Sequence, residues 1–407
     1  MINDLTDKTS KFFIISTILF SLSLLFWHHN ISAQTIDDKM LVKDRINTID
    51  KFLQTEIGNL SVSNIVKRMD ISVGKGPTSI AINPDTNTVY VTNTVDNTVS
   101  VINGNNYTKI TDIPLGKKPT SIAINQDTNT VYVLGYQFNT LNNTVSVING
   151  NNYTKITDIP VGKEPTSIAI HQDTNTVYVA NSYVDNEPIG CGDDITSNNN
   201  TLSVINGNNY TKITDIPVGK KPTSIAINQD TNTVYVANHL SNNITVIDGN
   251  NYTKITDIPI GAVVTPDNVA INQDTNTVYV TNSFCFDNFN KYSISVIDGN
   301  YNKEITIIGI EDKPLGIDIE NDTNTVYVTN PMFGSVSAIM DMPTHVSEKS
   351  NIKRIDIPVG KKPTSIAINQ EADMLYVTNY RSNTVSIIFD IDIKTMVIEI
   401  QNLPHTY

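Results

Sequence analysis

The 407-residue chain is poor in cysteine, with two, Cys191 and Cys285, and poor in histidine, with six. Two cysteines make no disulfide framework, and their separation matches no metal-ligand spacing. They form one disulfide or stand unpaired in loops. Cations are also scarce, 28 lysines and arginines against 41 aspartates and glutamates, a formal net charge of -13. Such a surface repels a phosphate backbone and excludes non-specific DNA or RNA binding. No glycine-rich phosphate loop or nucleophile elbow occurs, and the sequence calls for no cofactor.

Long apolar runs are missing, with one exception: FFIISTILFSLSLLFW, residues 12–27, follows Lys8 and Lys11. Its sixteen residues suit the core of an export signal better than a bilayer span, which needs about 20. Ile31-Ser32-Ala33 is a mediocre cleavage site, so retention as an anchor is the alternative. The expectation is residues 1–33 as signal peptide or membrane anchor, with the rest extracellular or at the cell surface. Residues 34–63 form a helical stalk or linker, because Val42, Ile46, Ile49 and Leu53 recur at helical spacing.

A repeat is what the chain has in abundance. Prolines at 77, 119, 165, 222, 266, 314 and 363 open units 42 to 57 residues apart. The second unit contains four strand signals: SIAIN (121–125), TVYVLG (130–135), TVSVIN (144–149) and KITDIPV (155–161). Turn chemistry joins them: QDTN, a variable loop, GNNYT and GKEP. Units of this size cannot close a core alone and must stack. In TVYVTN, Val89 and Val91 face one way and Tyr90 and Thr92 the other, with almost no charge, as sheets packed on both faces require. The fold class is therefore all-β, a seven-bladed β-propeller of four-stranded antiparallel blades over residues 64–407. Either residues 64–73 or 395–401 supply the strand that closes the ring.

Tyr90-Val91-Thr92-Asn93 spells YVTN, which recurs at 279–282, 327–330 and 376–379, with YVAN at 178 and 235 and YVLG at 132. The chain resembles the YVTN β-propeller repeat family, which includes archaeal surface-layer and other exported proteins. The resemblance covers roughly residues 65–401 and implies the scaffold more than any activity.

The copies diverge in the loops joining second and third strands, where scaffolds carry binding specificity. Three of the longer loops hold aromatics, among them Tyr136, Tyr183 and Phe286. The loops joining one blade to the next carry Lys75, Lys117, Lys118, Lys163, Lys220, Lys221, Lys313, Lys361 and Lys362. A ring of ammonium groups at the channel would focus field on acidic glycans, although duplication copies a lysine as readily as a valine. Asp193 and Asp194, beside Asn198–Asn200, are the weak candidates for a hard cation. Asn106, Asn152, Asn209 and Asn251 are Asn-x-Thr acceptors for glycosylation. His171, His239, His345 and His405 share no loop class. The sequence thus points first to a non-catalytic binding or surface-layer module whose partners are cell-surface glycans or proteins. A propeller enzyme of lactonase or lyase type is the alternative and needs a polar cluster at the channel mouth, with a metal or a His/Glu pair. A purely structural envelope component is the third reading.

Overall fold

The computed structural model describes residues 67–136, 143–182, 200–261, 264–284, 292–310, 312–340 and 352–389. The chain divides into two compact units, Met1–Ser61 and Val62–Tyr407, and every described residue lies in the second. The expected signal and stalk, and the alternative closing strand at 395–401, lie outside the described residues. Twenty-eight strands form seven four-stranded antiparallel sheets. Blades 1 to 6 occupy residues 77–114, 118–160, 165–217, 222–259, 264–310 and 317–358. Blade 7 takes its three inner strands from 363–389 and its outermost strand from Lys67–Ser72.

This N-terminal strand closes the ring, pairing Lys67 with Phe389 through Ser72 with Thr384. It contributes a side chain as well as a ladder. In blade 1, Asn93 Nδ2 donates to Ser100 Oγ at 2.9 Å, and Ser100 donates to Asp112 Oδ1 at 2.5 Å, tying the three outer strands together. Blade 7 repeats the chain as Asn379 to Ser386 to Asp70, the last from the closing strand. The asparagine of the YVTN motif is therefore a structural staple.

One hydrophobic cluster fills each of the seven seams. Tyr90, Val99 and Val101 of blade 1 pack on Ile122, Ile124, Val131 and Val133 of blade 2. At the closing seam Ile71, Tyr376, Val385 and Ile387 meet Ile80, Val89 and Val91. One fully buried tyrosine stands in every blade, and each such side chain contributes about 2–3 kcal/mol by leaving water. Three of the hydroxyls reach a turn carbonyl of the next blade, Tyr90 to Gly150 and Tyr132 to Gly207 at 3.3 Å and Tyr178 to Gly249 at 3.5 Å.

A belt of amides closes the inner ends of the blades. Gln172 Nε2 donates to the Ile124 carbonyl while its Oε1 accepts from the Gln126 N–H, both at 3.0 Å, so the side chain reaches back across one seam. Gln229 and Gln273 do the same for the next two seams. Pro84 holds the equivalent place in blade 1, without an amide, at the seam the N-terminal strand closes.

Candidate functional site at the channel mouth

The interblade loops and the variable loops share one face, because they hydrogen-bond to each other. Thr94 N–H donates to the Gly76 carbonyl at 2.9 Å, His239 N–H to Lys221 at 2.9 Å, and Tyr380 N–H to Lys362 at 2.9 Å. The candidate lysines at this end have different fates. Lys75, Lys118, Lys163 and Lys361 are exposed, while Lys220 and Lys221 are half-buried beside the His239 loop. Lys362 Nζ stands 4.7 Å from the Tyr380 ring centroid. Lys117 is committed elsewhere: its ammonium meets Thr144 Oγ1 and lies 2.8 Å from Asp158 Oδ1, across its own blade.

Two loops and a strand converge in the sector of blades 4 to 6. His239, from the variable loop of blade 4, places Nδ1 3.0 Å from Asp267 Oδ1 on the innermost strand of blade 5. That distance is an ion-pair contact, while the ring nitrogen lacks the alignment of a hydrogen bond. Lys313 Nζ, from the loop entering blade 6, is 3.8 Å from Asp267 Oδ2, and Ser283 donates its hydroxyl to the same oxygen. Burial alone would push the Asp267 carboxyl up. Contact with His239, the Lys313 charge and the Ser283 hydroxyl outweigh it and hold the group below its ordinary value. Asp267 thus stays ionised, an acceptor placed to orient the imidazole. The inner hairpin of blade 5 is extended here, with Val264 opposite Phe284 and Thr265 opposite Ser283, and raises a wall next to the dyad.

Deeper in the same sector the inner strand of blade 6 carries Asp318 where sister blades carry alanine. It is half-buried and crowded by protein, and that desolvation pushes its carboxyl up to about 6 against hydrogen bonds from the Ile319 and Ile368 N–H groups.

Asp267 and Asp318 are absent from the candidates the sequence offers, and His239 was set aside for want of a matching loop. The signal lies in the repeat. Aligning inner strands puts Asp267 where Thr78, Thr120, Thr166, Thr223 and Thr364 stand, and Asp318 where Ala81 stands. Departures from a copied brick mark these positions. Tyr183, Phe286, Asp193, Asp194, Cys191 and Cys285 lie outside the described residues; Tyr136 ends a strand. Asn106, Asn152, Asn209 and Asn251 are exposed on turns, each accepting from the hydroxyl of the threonine two residues on. Among the described residues no group of three or more His, Cys, Asp or Glu side chains has the arrangement to hold a metal ion.

Fold and site together describe a closed seven-bladed propeller with a polar cluster at one mouth of its channel. The family model described as "Lactonase, 7-bladed beta-propeller" matches residues 41–258, just over half of the 407-residue chain, and the chain belongs to that family. No curated protein matches it. Among solved structures, "Kuenenia stuttgartiensis Hydrazine Synthase" aligns at 17% identity over 79% of this chain and 97% of that one, TM-score 0.67. "Crystal structure of RRP9 WD40 repeats" aligns at 9% identity over 79% and 99%, TM-score 0.62. "Structure of U3-55K" aligns at 11% identity over 79% and 98%, TM-score 0.61. At such identities the likeness is one of fold alone.

Proposed function

We propose that the protein is an exported hydrolase of lactones, working at the mouth of its channel. The observation that carries the reading is the His239–Asp267 contact of 3.0 Å with Lys313 beside it, in a chain of the lactonase propeller family. Asp267 orients the ring, leaving Nε2 to act as general base. A water gives its proton to Nε2 as its oxygen bonds to the lactone carbonyl carbon. Lys313 stabilises the oxyanion. Collapse breaks the ring C–O bond, and the alkoxide takes the proton back from the imidazolium to yield a hydroxy acid. The apolar run at 12–27 supports export, secreted or anchored at the cell surface.

The test is proton release from a panel of lactones. His239→Asn and Asp267→Asn should each lower kcat/KM by about a hundred-fold or more at unchanged folding. Wild-type rates in both variants would remove the dyad from the mechanism.

A second reading, a binding module for acidic cell-surface glycans, draws on the exposed Lys75, Lys118 and Lys361 at the same face. Glycan-array binding that weakens between low and high salt, and again in a triple lysine-to-glutamate variant, would favour it.

A further inference from the structure

Resting on the hydrolytic reading of the channel-mouth site, we propose that its substrate carries an aliphatic chain beside the lactone ring, seated on blade 6. The inner strands of five other blades open with a Thr-Ser pair, such as Thr78-Ser79 and Thr364-Ser365, a polar pair whose threonine hydroxyls bond the neighbouring strand or blade, Thr78 with Thr92 and Thr364 with the Pro77 carbonyl. Blade 6 has Leu315 and Gly316 there instead, and Leu315 is 37% exposed. Gly316 is required where it stands: a Cβ on it would come within 2.9 Å of the Ser365 Cα.

The variable loop of the same blade points the same way. Met332 is 82% exposed and Phe333 64% exposed, side chains that scatter singly over a surface without meaning but here gather on the blade that supplies Lys313. They are joined to it rigidly. Buried Asp312 accepts the Lys313 N–H on Oδ1 at 2.7 Å and the Met332 N–H on Oδ2 at 2.8 Å, so one carboxylate pins both the loop bearing the ammonium and the loop bearing the apolar pair. A polyhydroxylated ring would leave its hydroxyls against Leu315, Met332 and Phe333 without partners. An alkyl chain would bury those side chains as it leaves water.

The experiment compares γ-valerolactone, γ-octalactone, γ-dodecalactone and glucono-δ-lactone with the full chain and with a Leu315→Thr/Met332→Ser/Phe333→Ser variant. In the native protein kcat/KM should rise two- to four-fold per added methylene until the patch is covered. In the variant the ratio between long-chain and short-chain lactones should collapse towards one. A flat series, a preference for glucono-δ-lactone, or a ratio the variant does not move would overturn the assignment while leaving hydrolysis standing. If no lactone is turned over, the hydrolytic reading falls, and calorimetric titration with γ-dodecalactone decides the patch separately. Binding that the variant loses keeps the apolar seat, and absence of binding ends it.

Discussion

Single residues that break the repeat show what the repeat does. Asn125 Nδ2 serves two acceptors across its seam, the Gln172 carbonyl at 3.0 Å and Asn175 Oδ1 at 3.1 Å. His171 stands at the same place in blade 3, and its one ring N–H at Nε2 serves the Gln229 carbonyl at 2.9 Å. Asn232 Oδ1 is left buried with no partner among the described residues. His171→Asn should therefore raise stability by about 1 kcal/mol in urea unfolding, and an unchanged midpoint would refute this account of the seam. Blade 2 shows the opposite, a compensated loss. Gly135 replaces the motif asparagine, and Lys117 reaches in with its ammonium; a Cβ at 135 would lie 2.3 Å from Lys117 Cδ. Burial lowers the Lys117 pKa, with Asp158 opposing. Gly135→Asn alone should cost about 1–3 kcal/mol, and adding Lys117→Ala should recover most of it. A double-mutant cycle that finds the two changes additive would exclude the exchange.

At the level of elements, the copied period makes the fold legible: four strand signals per unit, seven units, and alternation of Val89 and Val91 against Tyr90, all of which the sheets reproduce. Ring closure was not legible, because residues 64–73 and 395–401 carry equal strand patterning. What separates them is a tertiary match, Asp70 at the end of the Asn379–Ser386 relay. The site was only half legible for a similar reason. His239, Asp267 and Lys313 come from three blades and acquire meaning together only once the ring brings them within reach. Closure by the N-terminal strand makes a further prediction. Ile71, buried in the closing seam, should cost about 2–5 kcal/mol when cut to alanine, and the whole propeller should unfold as one transition at lower urea by circular dichroism. A shift of a few tenths of a kcal/mol would mean that another segment can take the slot.

Across the whole molecule, two sets of carboxylates set the response to pH, with opposite signs. The outer strands hold Asp158 at about 2: burial would raise it, but hydrogen bonds from Lys117, Lys155 and Ser146 prevail. Asp70 and Asp112 are lowered in the same way, against their burial, by Arg68 with Ser386 and by Lys109 with Ser100. A carboxyl bound more weakly by protons in the folded state than in the unfolded one lends stability above an ordinary value of 3.8, and loses it as pH falls towards 2. Asp318 works the other way. Its folded value of about 6 exceeds the unfolded 3.8, so the folded state holds the proton more tightly. That advantage is complete below 3.8 and disappears as pH rises through 6, a difference of up to about 3 kcal/mol. Buried Glu320 and half-buried Glu304, both raised by desolvation, add to this arm. Stability should therefore peak in mildly acidic solution, near pH 4, falling on both sides. Asp318→Asn removes the charge while keeping an oxygen for the Ile368 N–H, and should flatten the decline between pH 4 and 6.5 without altering the acid limb. Urea midpoints at half-unit pH steps for the two proteins give the answer; parallel curves would mean that Asp318 ionises in the folded protein as it does in water.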